Sequence, residues 1–122
     1  MNESTEIAAR PDVHGMDLAR RTVDELSEKQ AESIVLLDIS EVSSIADYFV
    51  IGSTMSKRQF DAVEDALRKT AQQRPRIEGT PASGWMLFDF GDVVVHLFGR
   101  EEREFYDLEG LWGHGKQLLR IE

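Results

Sequence analysis

Apolar residues change their spacing several times along the chain, and each change marks an element. Met16, Ala19, Val23 and Leu26 recur at helical intervals, with Arg20, Arg21, Asp24, Glu25 and Glu28 between them. That spacing predicts an amphipathic helix from about Asp12 to Gln30. SIVLLDIS (Ser33–Ser40) is short and rich in branched side chains, and its four consecutive apolar residues predict a strand covered on both faces. EVSSIA turns the chain, and DYFVIGS (Asp47–Ser53) reads as a second buried strand. Ser56-Lys57-Arg58-Gln59 has the spacing of a capping box, and Met55 and Phe60 flank it where a hydrophobic staple would close. Phe60, Val63, Leu67 and Ala71 then form one stripe of a second helix, which Pro75 ends. RIEGTPASG predicts a loop with an extended piece near Ile77.

WMLFDFGDVVVHLF (Trp85–Phe98) is the most apolar stretch. A type II′ turn at Gly91-Asp92 would set Phe90 opposite Val93, Phe88 opposite Val95 and Met86 opposite Leu97. Side chains alternate along a strand, so those residues share one wholly apolar face, expected in the core. The other face holds Trp85, Leu87, Asp89, Val94, His96 and Phe98, and is expected either to lie under another element or to meet a partner. In REEREFYDLEGLW, Phe105, Leu108 and Trp112 fall at helical spacing with acids early, where the helix dipole favours them, and Gly110 weakens the helix. GHGKQLLRIE is broken by glycine and is expected to fray. The order α-β-β-α-(β)-β-β-α predicts a single α/β (α+β) domain, a mixed sheet flanked by helices. Residues 1–12 read as a loose tail, 13–113 as the folded domain and 114–122 as a frayed end.

Composition adds limits. The chain has 122 residues, 41% hydrophobic and 30% charged, which suits one folded domain. It has no cysteine, which excludes a disulfide scaffold, a thiol nucleophile and a cysteine zinc site, and fits a reducing cytosol. The N-terminus shows no basic flank and no apolar run, and no apolar stretch approaches the ~20 residues of a membrane span. A cytoplasmic, soluble protein is the expectation. Net charge is −9, and only residues 56–76, with Lys57, Arg58, Arg68, Lys69, Arg74 and Arg76, form a basic stretch. Such a chain should repel bare nucleic acid and attract basic partners.

Candidate chemistry is sparse. Asp89 and Asp92 could be a metal-binding pair, but a D-x-x-D across a tight turn sends its carboxylates apart, so no metal and no cofactor is expected. IGSTMS lies between a strand and a helix N-terminus, where phosphate can bind, but it lacks a P-loop pattern and Ser56 reads as a cap. His14 and His114 lie near the chain ends, and His96 has no His, Cys or Glu at ligand spacing. His96 reads as a partly buried residue paired with Asp89 or a backbone group, rather than as a catalytic base. Glu101, Glu102, Glu104, Asp107 and Glu109 form either a solvated helix face or a docking edge for a basic protein. Trp112, with Phe105 and Leu108, is a core anchor if buried and a binding hot spot if exposed. Pattern alone therefore reaches an acidic α/β domain without a convincing active site, carrying an aromatic and acidic surface suited to a basic protein.

Four stretches carry a resemblance over roughly Met16 to Trp112: ADYFVI at 46–51, SKRQ at 56–59, W-x-L-x-D-x-GDVVVHLF from Trp85, and REFYDLEGLW from Arg103. Together they resemble the ribosomal silencing factor (Iojap-like) family. The resemblance implies a nucleotidyltransferase-like fold without the catalytic carboxylates and without enzymatic activity. It implies binding to uL14, protein fourteen of the large ribosomal subunit, and a block on joining of the small subunit that lowers translation when nutrients run low. It also implies a possible homodimer. Carried over by motif, the partner-binding residues are Trp85, Leu87, Asp89, His96, Tyr106, Leu108, Glu109 and Trp112, the aromatics as anchors and the acids toward Arg and Lys. Two departures stand out: Ser53-Thr54-Met55-Ser56 replaces a Ser-Gly-x-Ser loop, and Gly110 stands where a charged residue is usual. The alternative function is a nucleotide- or metal-dependent transferase, and a shared fold alone does not transfer that activity.

Overall fold

The computed structural model describes residues 11–122, and their side chains from Gly15 onward. The tail expected over residues 1–12 therefore falls almost wholly outside the described residues, as does the side chain of His14. Helix α1 (Pro11–Glu28) is followed by strands β1 (Glu32–Asp38) and β2 (Tyr48–Thr54). Then come α2 (Lys57–Arg68), β3 (Arg76–Thr80), a capped turn at Pro81–Ser83 and the hairpin β4 (Trp85–Asp89) and β5 (Val93–Gly99). Two short helices, α3 (Arg100–Tyr106) and α4 (Leu108–Leu111), lead to strand β6 (Lys116–Ile121).

The six strands form one sheet in the order β3-β4-β5-β2-β1-β6. Only β2 and β5 run parallel; every other neighbouring pair is antiparallel. The central strands β1, β2 and β5 are buried on both faces, while the outer strands β3 and β6 are largely exposed. On one face, Ala19, Val23 and Leu26 of α1 and Phe60, Val63 and Leu67 of α2 pack against Met86, Phe88, Val93, Val95 and Leu97. On the other, Val35, Phe49, Ile51, Val94, Phe98 and Leu108 form a second core, with Trp85, Leu87 and Trp112 packed at its margin. The run Ile34–Leu37 is buried throughout because its residues alternate between the two cores. No helix among the described residues is long and apolar enough to cross a membrane.

The hairpin forms in the register read from its turn chemistry: Phe88 pairs with Val95 and Met86 with Leu97. Of the two central residues only Gly91 takes a positive φ, 98°, as a type II′ turn requires. Helix α2 is capped as expected, Ser56 Oγ accepting from the Gln59 amide at 3.2 Å. The reciprocal arm differs. Gln59 Oε1 accepts from the Met55 amide, and its Nε2 donates to the Lys29 and Gln30 carbonyls, so this residue ties α2 to the end of α1. Met55 is 62% exposed, so no staple closes over Phe60. Thr54 extends β2 without a positive φ, which accommodates the missing glycine.

Three expectations at the C-terminus are corrected. The single helix through Phe105, Leu108 and Trp112 is two helices, broken at Asp107, which adopts the left-handed region at φ 41°. Asp tolerates that conformation, and its Oδ1 then accepts from the Gly110 amide and caps α4. The break takes Phe105 out of the stripe: it is 81% exposed, while Leu108 is buried. Finally, residues 114–122 do not fray. Gly113 and Gly115 lie in the turn that follows α4, and Lys116–Ile121 pair with β1 as the sheet's outer strand.

Candidate functional site

The mixed face of the hairpin, β2 and the two short C-terminal helices together build an aromatic surface. Trp85 is half-buried, with its ring 4.9 Å from Phe98 and 4.7 Å from Tyr106. Tyr106 in turn meets Phe105 edge-on at 5.0 Å. Beside them Glu78, Gly79, Ser83, Trp85, Leu87 and Tyr106 line a shallow cleft of about 310 Å³. Farther along, Trp112 packs edge-on against buried Phe49 at 5.3 Å, and Phe49 meets His96 at 4.6 Å. Two half-buried tryptophans are thus joined beneath the surface by Phe49 and His96.

The eight residues proposed from sequence do not share one environment. Trp85, Leu87, Asp89, Glu109 and Trp112 are partly exposed and Tyr106 is exposed. His96 is 4% and Leu108 8% exposed, so both lie beneath the surface rather than on it. His96 pairs neither with Asp89 nor with a backbone group; its Nδ1 accepts from Trp85 Nε1 at 3.2 Å. Asp89 is occupied at the turn, its Oδ1 accepting from the Gly91 amide at 2.8 Å and its Oδ2 facing Arg76 at 3.4 Å. Among the described residues no three His, Cys, Asp or Glu side chains gather where they could hold a metal ion.

Glu109 belongs to a network that the sequence does not reveal. Arg103, its side chain 11% exposed, donates from Nε to Glu109 Oε1 (2.7 Å), from Nη1 to Ser53 Oγ (2.8 Å) and from Nη2 to the Ser33 carbonyl (2.7 Å). The Arg103 hydrogen bond holds the Glu109 carboxyl below the usual glutamate range, with Arg120 adding to it. Arg103 and Glu109 are six apart and sit on different helices, so no helical spacing signals the pair. Phe105 and Leu111 are exposed at 81% and 74% and were also missed as surface residues; for Phe105 the signal was Asp107, where the helix breaks.

Burial lowers the His96 pKa from 6.5 to about 4. As pH falls, the unfolded chain takes up this proton before the folded one does. The stability held by neutral His96 is whole above pH 6.5 and declines as pH falls toward about 4. The full swing corresponds to about 3 kcal/mol. Urea midpoints at about pH 7.5 and about pH 5 should differ for the natural protein and differ less in His96→Leu. Equal pH dependence in the two would remove His96 as its source.

Comparison with known proteins bears on what this surface is for. A family model described as "Ribosomal silencing factor during starvation" matches residues 12–122. A ribosomal silencing factor RsfS of Halalkalibacterium halodurans is 41% identical over 80% of this chain and 86% of its own length. One of Zymomonas mobilis is 40% identical over 82% of this chain and 78% of its own. A crystal structure of a Chromobacterium violaceum protein superposes with a TM-score of 0.73 at 27% identity, covering 88% of this chain and 92% of that one. The match spans the residues of the aromatic hairpin, the short helices and β6, and with two relatives of 40% identity or more it shows that the chain belongs to the ribosomal silencing factor family.

Proposed function

We propose that the protein represses translation sterically, by binding uL14 on the joining face of the large ribosomal subunit so that the small subunit cannot dock. No chemical step is involved. The observation that carries this reading is the aromatic surface itself. Trp85, Leu87, Tyr106 and Trp112 stand partly or largely exposed on a chain of net charge −9. Exposed aromatics on an acidic chain suit a basic protein partner, because apolar contact supplies affinity and opposite charge steers the approach. Phe105 extends the surface, and Glu101 and Glu104, exposed and without a cationic partner among the described residues, lie on its helix. Asp89 and Glu109 already face arginines of this chain and so contribute less charge to a partner. His96 and Leu108 support the surface from beneath.

The test is a joining assay. Purified protein is added to isolated large subunits, small subunits follow, and the joined particle is measured by sedimentation. Joining should fall as protein approaches saturation; unchanged joining would refute the reading. Trp85→Ala should weaken binding to large subunits by about 2 kcal/mol, roughly thirtyfold, as loss of an anchor does. A folded variant that binds with natural affinity would remove Trp85 from the surface.

A further inference from the structure

His96 is too buried to touch a partner, yet it is poorly suited to its place in the core. Among the described residues its hydrogen bond joins Nδ1 to the indole N–H of Trp85 at 3.2 Å. An indole nitrogen only donates, so Nδ1 accepts and the neutral ring carries its proton on Nε2. That Nε2 is buried and meets no hydrogen-bond acceptor among the described residues. Phe49 stands edge-on at 4.6 Å and Phe98 lies stacked at 6.3 Å. A buried donor left unpaired is destabilising, and an apolar side chain of similar size would avoid that penalty. What the imidazole supplies, and an apolar residue would not, is an acceptor for the indole.

Trp85 needs one. Its remaining ring contacts, to Phe98 and Tyr106, are ring packing that does not by itself fix where the indole N–H points. A hydrogen bond is directional and fixes which edge of the indole turns inward. We propose that His96 is a positioning residue: by accepting the indole N–H it holds Trp85 in one orientation, so that the docking partner meets an ordered anchor. This rests on the docking role given to Trp85 above. An anchor ordered in advance spares the complex the entropy of freezing it, a gain of roughly twofold to tenfold in affinity for one side chain.

Two variants separate positioning from packing. His96→Leu keeps similar bulk and removes the acceptor. His96→Asn places Oδ1 near the former Nδ1 position but leaves space behind it. At neutral pH the Leu variant should be at least as stable as the natural protein in urea, yet bind large subunits about fivefold to tenfold more weakly. The Asn variant should be less stable, yet bind within about twofold of the natural protein, because the acceptor is kept. A purely structural histidine would make stability and affinity fall together, and that outcome overturns the proposal, as does natural affinity in His96→Leu. Nuclear magnetic resonance reads the positioning without any ribosome. The Trp85 indole N–H should show a high order parameter in the natural and Asn proteins and a lower one in Leu. An unchanged order parameter in Leu overturns positioning. Failure of the natural protein to bind large subunits would instead sink the docking role and leave the resonance result to decide what His96 does to Trp85.

Discussion

Replacing Arg103 with methionine is expected to cost about 3–5 kcal/mol of folding free energy, the scale seen when one partner of a buried charge network is removed. Methionine keeps much of the stem's bulk, so the loss is electrostatic. Three acceptors lose this donor at once: the Glu109 carboxylate, left with Arg120 alone, the Ser53 hydroxyl and the Ser33 carbonyl. These belong to α4, β2 and the start of β1, while Arg103 itself is on α3, so one guanidinium holds both short helices against the sheet. Ser33 is also in the left-handed region at φ 48°, a conformation that a fixed carbonyl helps to maintain. Arg103→Lys should recover little, since an ammonium cannot reproduce the planar fork. The acid range offers a check of sign. The Glu109 pKa is lowered in the folded protein, so its contribution is present above the ordinary glutamate value and is lost as pH falls through the folded one. In the methionine variant that loss should shrink, because the first cause of the shift is gone. Urea denaturation near neutral pH decides the main point: a drop below about 1 kcal/mol would mean that the network adds little beyond a surface pair.

Phe98→Ala should destabilise by a similar amount, about 3–5 kcal/mol, as deletion of a buried aromatic ring does. Phe98 is 0% exposed and lies under Trp85, with Tyr106 and His96 around it. Its loss removes the floor of the aromatic surface as well as core volume. Phe88 is the control. It is equally buried, in the same hairpin, but faces the core under α1 and α2. Phe88→Ala should lose comparable stability while its folded fraction binds large subunits with natural affinity. Phe98→Ala should lose both. Equal binding by the two variants would show that the second core does not support the docking surface.

The hairpin was legible because everything that sets it is local: Gly-Asp at the turn, alternation on either side, and an all-apolar face. Helices α1 and α2 were legible for the same reason, through period and cap. What escaped depends on distant or competing contacts. In this register His96 stands opposite Leu87, so Trp85 and Asp89 are its two diagonal neighbours. The sequence offers no way to choose between them. The structure chooses Trp85, because Asp89 is engaged by the Gly91 amide and faces Arg76. One continuous helix would align Phe105 with Leu108 and Trp112, and a single left-handed aspartate takes it out of that stripe and leaves it exposed. The last strand was hidden because its partner, β1, lies near the other end of the chain, while the two glycines before it mimic a loose end. Family resemblance gathers eight residues around this surface but does not separate its exposed aromatics from the buried His96 and Leu108.

That last strand has a consequence for handling the protein. β6 covers the outer edge of β1, whose Ile34-Val35-Leu36-Leu37 run is the kind of short, branched, uncharged segment that templates intermolecular pairing when its edge is open. Proteolytic clipping or truncation at the glycines before Lys116 would do more than shorten the chain. It would turn an internal strand into an open edge, and light scattering should rise once the final strand is removed.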